Sequence, residues 1–200
     1  MGPRYGNIPQ TRIAWPLLAP QPYAARVKVS FIKSGVHRYG VTVERDRATN
    51  LQMHPAPGYD DWLPHDMVHL VVEKGAGLKD GIFGQLAAGG DAHTFVPTEQ
   101  QRTRRWARRA ERRNRTTGHD IDRSEELAFA ALVTWKSRAA GQRPAREFAP
   151  ATMIEVEALL PALDDAAHAW HALAVGESLT IDWPWPEAQA SPTPRSRKPI

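Results

Sequence analysis

The sequence predicts an α+β fold: a small antiparallel sheet packed by four or five helices, with disordered termini. Three observations carry that prediction. Two apolar runs near the start, 27–31 and 39–43, repeat with period two and are joined through a Ser-Gly pair. Most of the remaining chain places apolar residues at helical spacing behind cap-type residues, without strict alternation with strands. Prolines gather at both ends: Pro3, Pro9, Pro16, Pro20 and Pro22 in the first stretch, and Pro184, Pro186, Pro192, Pro194 and Pro199 in the last. Proline removes backbone donors and restricts the residue before it. Residues 1–25 are therefore read as an extended arm docked through Trp15, Leu17 and Leu18. Residues 184–200, with Arg195, Arg197 and Lys198, are read as a disordered basic tail. A single domain, 26–183, remains between them.

Taken in order, Val27, Val29 and Phe31 alternate with Lys28 and Ser30, and Tyr39, Val41 and Val43 alternate with Gly40 and Thr42. Ser34-Gly35 makes a hairpin of the two. A third short strand is expected at 51–54 and a last one around Leu179, Ile181 and Trp183. Pro64 suits a first helical position, because the N–H it lacks has no partner there, and Gly75 and Gly77 suit the other end. Together they bracket a helix over 64–75. Six glycines then crowd residues 75–90. They are read as a helix end, a short helix from Asp80 and a loop; the alternative is a mobile lid that brings in His93. Thr98 with Gln101 has the form of a capping box opening an Arg-rich helix. Asp122 with Glu125 opens another helix, running to Gly141. Thr152 with Glu155 opens a third, which Pro161 is expected to kink or split before Trp170 and Leu173. Trp62, Trp106, Trp135, Trp170, Trp183 and Trp185 are read as core anchors. His168 and His171 flank one of them and are read as exposed.

Composition excludes several classes. No cysteine occurs, so disulfides, thiolate nucleophiles and Cys-ligated zinc are out. Any metal must be held by His, Asp, Glu or backbone oxygen. No Gly-x-x-x-x-Gly-Lys-Ser/Thr loop, Rossmann glycine pattern or Gly-x-Ser-x-Gly elbow is present. The opening residues lack an apolar core of signal-peptide length, and no apolar run is long enough for a bilayer. A cytoplasmic protein without a membrane partner is the expectation. The net charge is +4, but 98–115 alone holds eight Arg against Glu99 and Glu111 and carries +6, leaving −2 for all other residues. The basicity is local.

Two features bear on function. The first is the run Leu63-Pro64-His65-Asp66-Met67-Val68-His69-Leu70-Val71-Val72-Glu73. At about 100° per residue, His65, His69, Glu73 and Asp66 fall on one arc of the helix, and Met67, Val68, Leu70, Val71 and Val72 on the other. Histidines one turn apart can reach one cation. The third ligand is open: His54, His93, Asp80 or Glu44 are options. Glu73 lies about 12 Å along the axis from His65, too far for joint ligation on a straight helix. Its expected place is a second layer that orients His69.

The His-Asp-x-x-His pattern is similar to the His-Glu-x-x-His motif of zinc metallopeptidases. That similarity implies Zn2+ as cofactor, His65 and His69 as ligands, and Asp66 as general base for hydrolysis. Asp is one methylene shorter than Glu, which sets this base farther back. The run LPHDMVHLVVE, followed by GLKDGIFGQLAAGG, also resembles a group of uncharacterised bacterial proteins that share a Leu-Pro-His-Asp-x-x-His helix and a Gly-rich segment. That resemblance covers about 26–184, including Trp170 and the SLTIDWP strand, and implies the same helices and strands.

The second feature is the Arg-rich helix. Arg102, Arg105, Arg109 and Arg112 form one stripe, and Arg104, Arg108 and Arg115 a second; Trp106 and Ala110 leave a thin docking seam. The planar guanidinium fork suits phosphate. A non-enzymatic module contacting nucleic acid or an acidic protein is the alternative function. The plain alternative is a solvated helix paired with Asp120, Asp122, Glu125 and Glu126.

Overall fold

The computed structural model describes residues 10–12, 27–99 and 102–185. The remainder of the arm, including Trp15, Leu17 and Leu18, and residues 186–200 of the tail lie outside the described residues. The fold is α+β, with six strands and five helices among the described residues. The strands are β1 (Gln10–Arg12), β2 (Val27–Gly35), β3 (Arg38–Arg45), β4 (Leu51–Met53), β5 (Val96–Pro97) and β6 (Ser178–Trp183). The helices are α1 (His65–Ala76), α2 (Ile82–Ala87), α3 (Arg104–Asn114), α4 (Ile121–Ala139) and α5 (Pro150–His171).

The sheet runs β1-β6-β2-β3-β4-β5. Five strands are antiparallel; the edge strand β1 pairs parallel with β6, so the arm contributes a strand that period-two reading did not predict. The hairpin forms as expected, with Val29 opposite Val43 and Phe31 opposite Val41, but its turn is Val36-His37 and Ser34-Gly35 belongs to the end of β2. On β6, Ile181 and Leu179 stand opposite the same two β2 residues. These side chains form a continuous buried apolar face. β5 was also unforeseen: two residues, one of them Pro97, carry no periodic signal. Proline is tolerated there because the strand is an edge.

α1 packs against α4, α5 and α2. Residues 67–73 are buried without a break, and α4 covers the His69 and Glu73 part of the polar arc, while His65 stays exposed and Asp66 turns to β3. Pro64 is the N-cap, with its carbonyl accepting from Met67 and Val68; Gly77 ends the helix at φ 73°, a conformation natural to glycine.

Three helix starts differ from expectation. α3 is capped by Thr103, whose hydroxyl accepts from Trp106 N–H at 3.1 Å, while Thr98 bonds back to the Asn50 carbonyl. α4 begins at Ile121 after Asp120, so Asp122 sits in its first turn and Glu125 is free for other work. α5 begins at Pro150, and Thr152 lies inside it, bonded to Glu126. Pro161 does not split α5, which is helical over 22 residues. Pro161 and Glu157 are both exposed, so water can satisfy the Glu157 carbonyl that loses its partner. The opposite stripe, Thr152, Val156, Leu159, Leu160, Leu163 and Trp170, holds the helix to the core. Lys33 on β2 donates to the Leu173 carbonyl at 2.9 Å and closes the end of α5 with a cation.

Trp135, Trp170 and Trp183 are buried, and Trp62, Trp106 and Trp185 pack against the core, as expected of anchors. No helix among the described residues is long and apolar enough to cross a membrane.

Candidate metal centre

The site forms where the first two turns of α1 meet the first turns of α4. His65 and His69 stack edge-on, with ring centroids 4.6 Å apart, and their Nε2 atoms are 3.0 Å apart. Glu125 reaches across from α4 and places Oε2 3.6 Å from His69 Nε2. Donor atoms of the three residues all lie within 4.8 Å of one another. A zinc-type ion with tetrahedral ligands at about 2.0–2.1 Å holds its donors about 3.3 Å apart. Contacts of 3.0 and 3.6 Å straddle that separation. His69 is buried, whereas His65 and Glu125 are exposed, so the group opens outward on one side.

Behind His69 lies a hydrogen-bonded chain. His69 Nδ1 is 2.9 Å from Ser124 Oγ, and that hydroxyl donates to Glu73 Oε1 at 2.8 Å. Glu73 also accepts from Ile82 N–H at 2.7 Å and Phe83 N–H at 2.9 Å, the first donors of α2. When Glu73 is ionised and accepts all three bonds, the Ser124 oxygen is left to accept from His69 Nδ1–H. The tautomer is then fixed, and the lone pair of His69 Nε2 points to His65 and Glu125.

The His69 shift agrees with a neutral imidazole. Burial, reinforced by neighbouring His65, lowers His69 to about 4, so it is neutral near pH 7. Burial raises Glu73 to about 7, against the opposing pull of its bonds to Ser124, Phe83 and Ile82.

The other predicted residues are placed as follows. Glu73 lies behind His69 and reaches it through Ser124 rather than directly. Asp66 accepts a hydrogen bond from the Tyr39 hydroxyl on β3, whereas the imidazoles face α4. Burial, and then the nearby Asp66 charge, push the Tyr39 phenol well above its ordinary range, so it remains a donor. His54 is exposed, with its ring against Gly40, and His93 is exposed, 3.9 Å from Glu111; neither joins the group. Asp80 accepts from Gly118 and His119 N–H, and Glu44 is exposed on β3. The glycine-rich segment holds α2 rather than a lid that carries His93 to the site. Ser124 and Glu125 were missed because their run, Asp122-Arg123-Ser124-Glu125-Glu126, reads as a helix opening.

On α3, Arg105, Arg109 and Arg112 are exposed as expected, along with Arg104 and Arg108. Arg102 precedes the helix and is engaged by Asp91 at 3.6 Å and by the Trp106 ring. The downstream acids do not pair with α3: Glu126 bonds Arg123, Glu125 faces His69, and Asp120 accepts from Asp80 N–H. His168 bonds its own helix at Asp164 and His171 is exposed, as expected. Comparison with protein-family models, curated proteins and solved structures finds no match to this chain.

Proposed function

We propose that the protein binds one divalent metal ion of the zinc type through His65, His69 and Glu125, and that the ion serves a hydrolytic reaction. The observation that carries the proposal is the orientation of His69. A buried imidazole is held through Ser124 and Glu73 so that its Nε2 faces a second imidazole and a carboxylate. Two histidines and one carboxylate form a ligand set used for zinc in hydrolytic sites, where at least one position stays open. An ion held there supplies Lewis acidity that makes water a nucleophile near neutral pH. The exposed flank formed by His65 and Glu125 supports access from solvent. Asp66 is reassigned in this reading. Its bond with Tyr39 makes it a positioning residue that ties the start of α1 to the sheet, rather than the base that the motif implied.

The test is metal analysis of purified protein dialysed against Zn2+. The wild type should retain one equivalent. His69→Ala and Glu125→Ala should lose it, and Asp66→Asn should keep it. Hydrolysis of a panel of chromogenic phosphate and carboxylic esters should follow metal content and stop with chelator. Zinc retention unchanged in His69→Ala and Glu125→Ala would refute the site. Zinc-loaded protein inactive on the whole panel would refute the hydrolytic assignment and leave the metal site standing.

A further inference from the structure

α3 departs from the usual logic of a charged surface helix. Arg104, Arg105, Arg108, Arg109, Arg112 and Arg113 lie within about half of its circumference, at about 100° per residue. Trp106, Ala107 and Ala110 occupy the rest and dock the helix, with Ala110 buried. Glu111, the helix's own carboxylate, is taken by Arg115 at 3.0 Å. Among the described residues, no carboxylate lies within ion-pairing distance of the six arginines; the ion pairs nearby are those of Arg102 and Arg115.

Like charges one turn apart repel: Arg104 with Arg108, Arg105 with Arg109, Arg108 with Arg112, and Arg109 with Arg113. Arg104 and Arg105 also occupy the first turn, where the helix dipole disfavours cations. A plain solvated helix would relieve this with acidic neighbours, and among the described residues none of the acids next in sequence pairs with these arginines.

We propose that this arginine face is a docking surface for the sugar–phosphate backbone of duplex DNA. Charge complementarity argues for a polyanion, and the guanidinium fork for phosphate. The choice of a duplex follows from the absence of a stacking platform. Single-strand binding relies on exposed aromatic rings, and the aromatic ring of α3, Trp106, belongs to its docking side under Arg102. DNA follows from dimension: a helix about 10–12 Å across with its side chains is admitted by the roughly 12 Å wide major groove of B-form DNA, where its arginines reach the flanking phosphates, whereas that of duplex RNA is too narrow. The contacts are to backbone, so binding is independent of sequence.

Fluorescence anisotropy with a labelled 20-base-pair DNA duplex, in 50 and 200 mM KCl, tests the proposal. Matched single-stranded DNA, duplex RNA and polyglutamate serve as the other arms. Six phosphate contacts predict an affinity that falls about 10³-fold between the two salt concentrations. The triple variant Arg104→Glu/Arg108→Glu/Arg112→Glu should bind at least 100-fold more weakly at 50 mM. Its circular dichroism and zinc content should match the wild type, so that loss of binding is not loss of fold or of the metal site. The lysine triple at the same positions should retain binding within about tenfold. Absence of duplex binding at 50 mM KCl, equal binding by the glutamate triple, or tighter binding to single strands, duplex RNA or polyglutamate would each overturn the proposal.

Discussion

At the scale of single residues, the decisive group is Ser124. Its hydroxyl is the one atom between a buried carboxylate and a buried imidazole, and its direction of donation decides which nitrogen of His69 is bare. Ser124→Ala leaves all three proposed ligands in place but frees the tautomer. Zinc affinity, measured by competition with a chelator, should fall ten- to a hundred-fold, as for other outer-layer partners of ligating histidines. Glu73 carries the pH dependence. Its folded-state value is raised from 4.5 to about 7, so its contribution to stability is full below about pH 4.5 and is lost as pH rises through about 7. In metal-free protein, urea unfolding should show a stability loss on the order of 3 kcal/mol between pH 4.5 and 8 from this group. Glu73→Gln should flatten that dependence in the same window. The approach of His65 to His69 was legible from their spacing, and Glu73 was expected on the same side of the helix. Ser124 was not, because a serine near a helix start carries the same sequence signature whether it caps, faces solvent or bridges two buried groups.

At the scale of elements, α1 and α2 are coupled through one carboxylate. Glu73 projects from α1 and satisfies the first two N–H groups of α2, which has no side-chain cap of its own. Gly81 makes room for it: a Cβ there would stand 2.4 Å from Glu73 Cδ. Gly81→Ala should therefore cost about 1–3 kcal/mol in urea unfolding and weaken zinc binding, although residue 81 touches no proposed ligand. The crowded glycines are thus explained by packing at a helix junction. The regular elements were readable because their periodicities are strong: the β2–β3 hairpin, the apolar face of α1, and β6. Starts were less readable. Thr98 and Thr103 both suit a cap, and only the tertiary bond from Thr98 to Asn50 separates them. Pro161 misled for a related reason, since the cost of an interior proline depends on whether the orphaned carbonyl meets water.

At the scale of the whole molecule, the fold brings residues 65–73 against 124–125 across more than fifty positions of sequence. α5 and α2 pack on other sides of α1 and Asp66 turns to β3, so the His69 side of its polar arc meets the first turns of α4, which complete the site. This is why local motif reading supplied two of three proposed ligands and offered His54, His93, Asp80 and Glu44 for the third: the choice depends on helix packing, which no spacing rule contains. The most direct test of the metal centre is X-ray absorption at the zinc edge on the full chain loaded with one equivalent. The account predicts two imidazole nitrogens and oxygen donors at about 2.0–2.2 Å, with one imidazole lost in His69→Ala and an oxygen lost in Glu125→Ala. A spectrum with oxygen neighbours alone, or one that neither substitution alters, would contradict it.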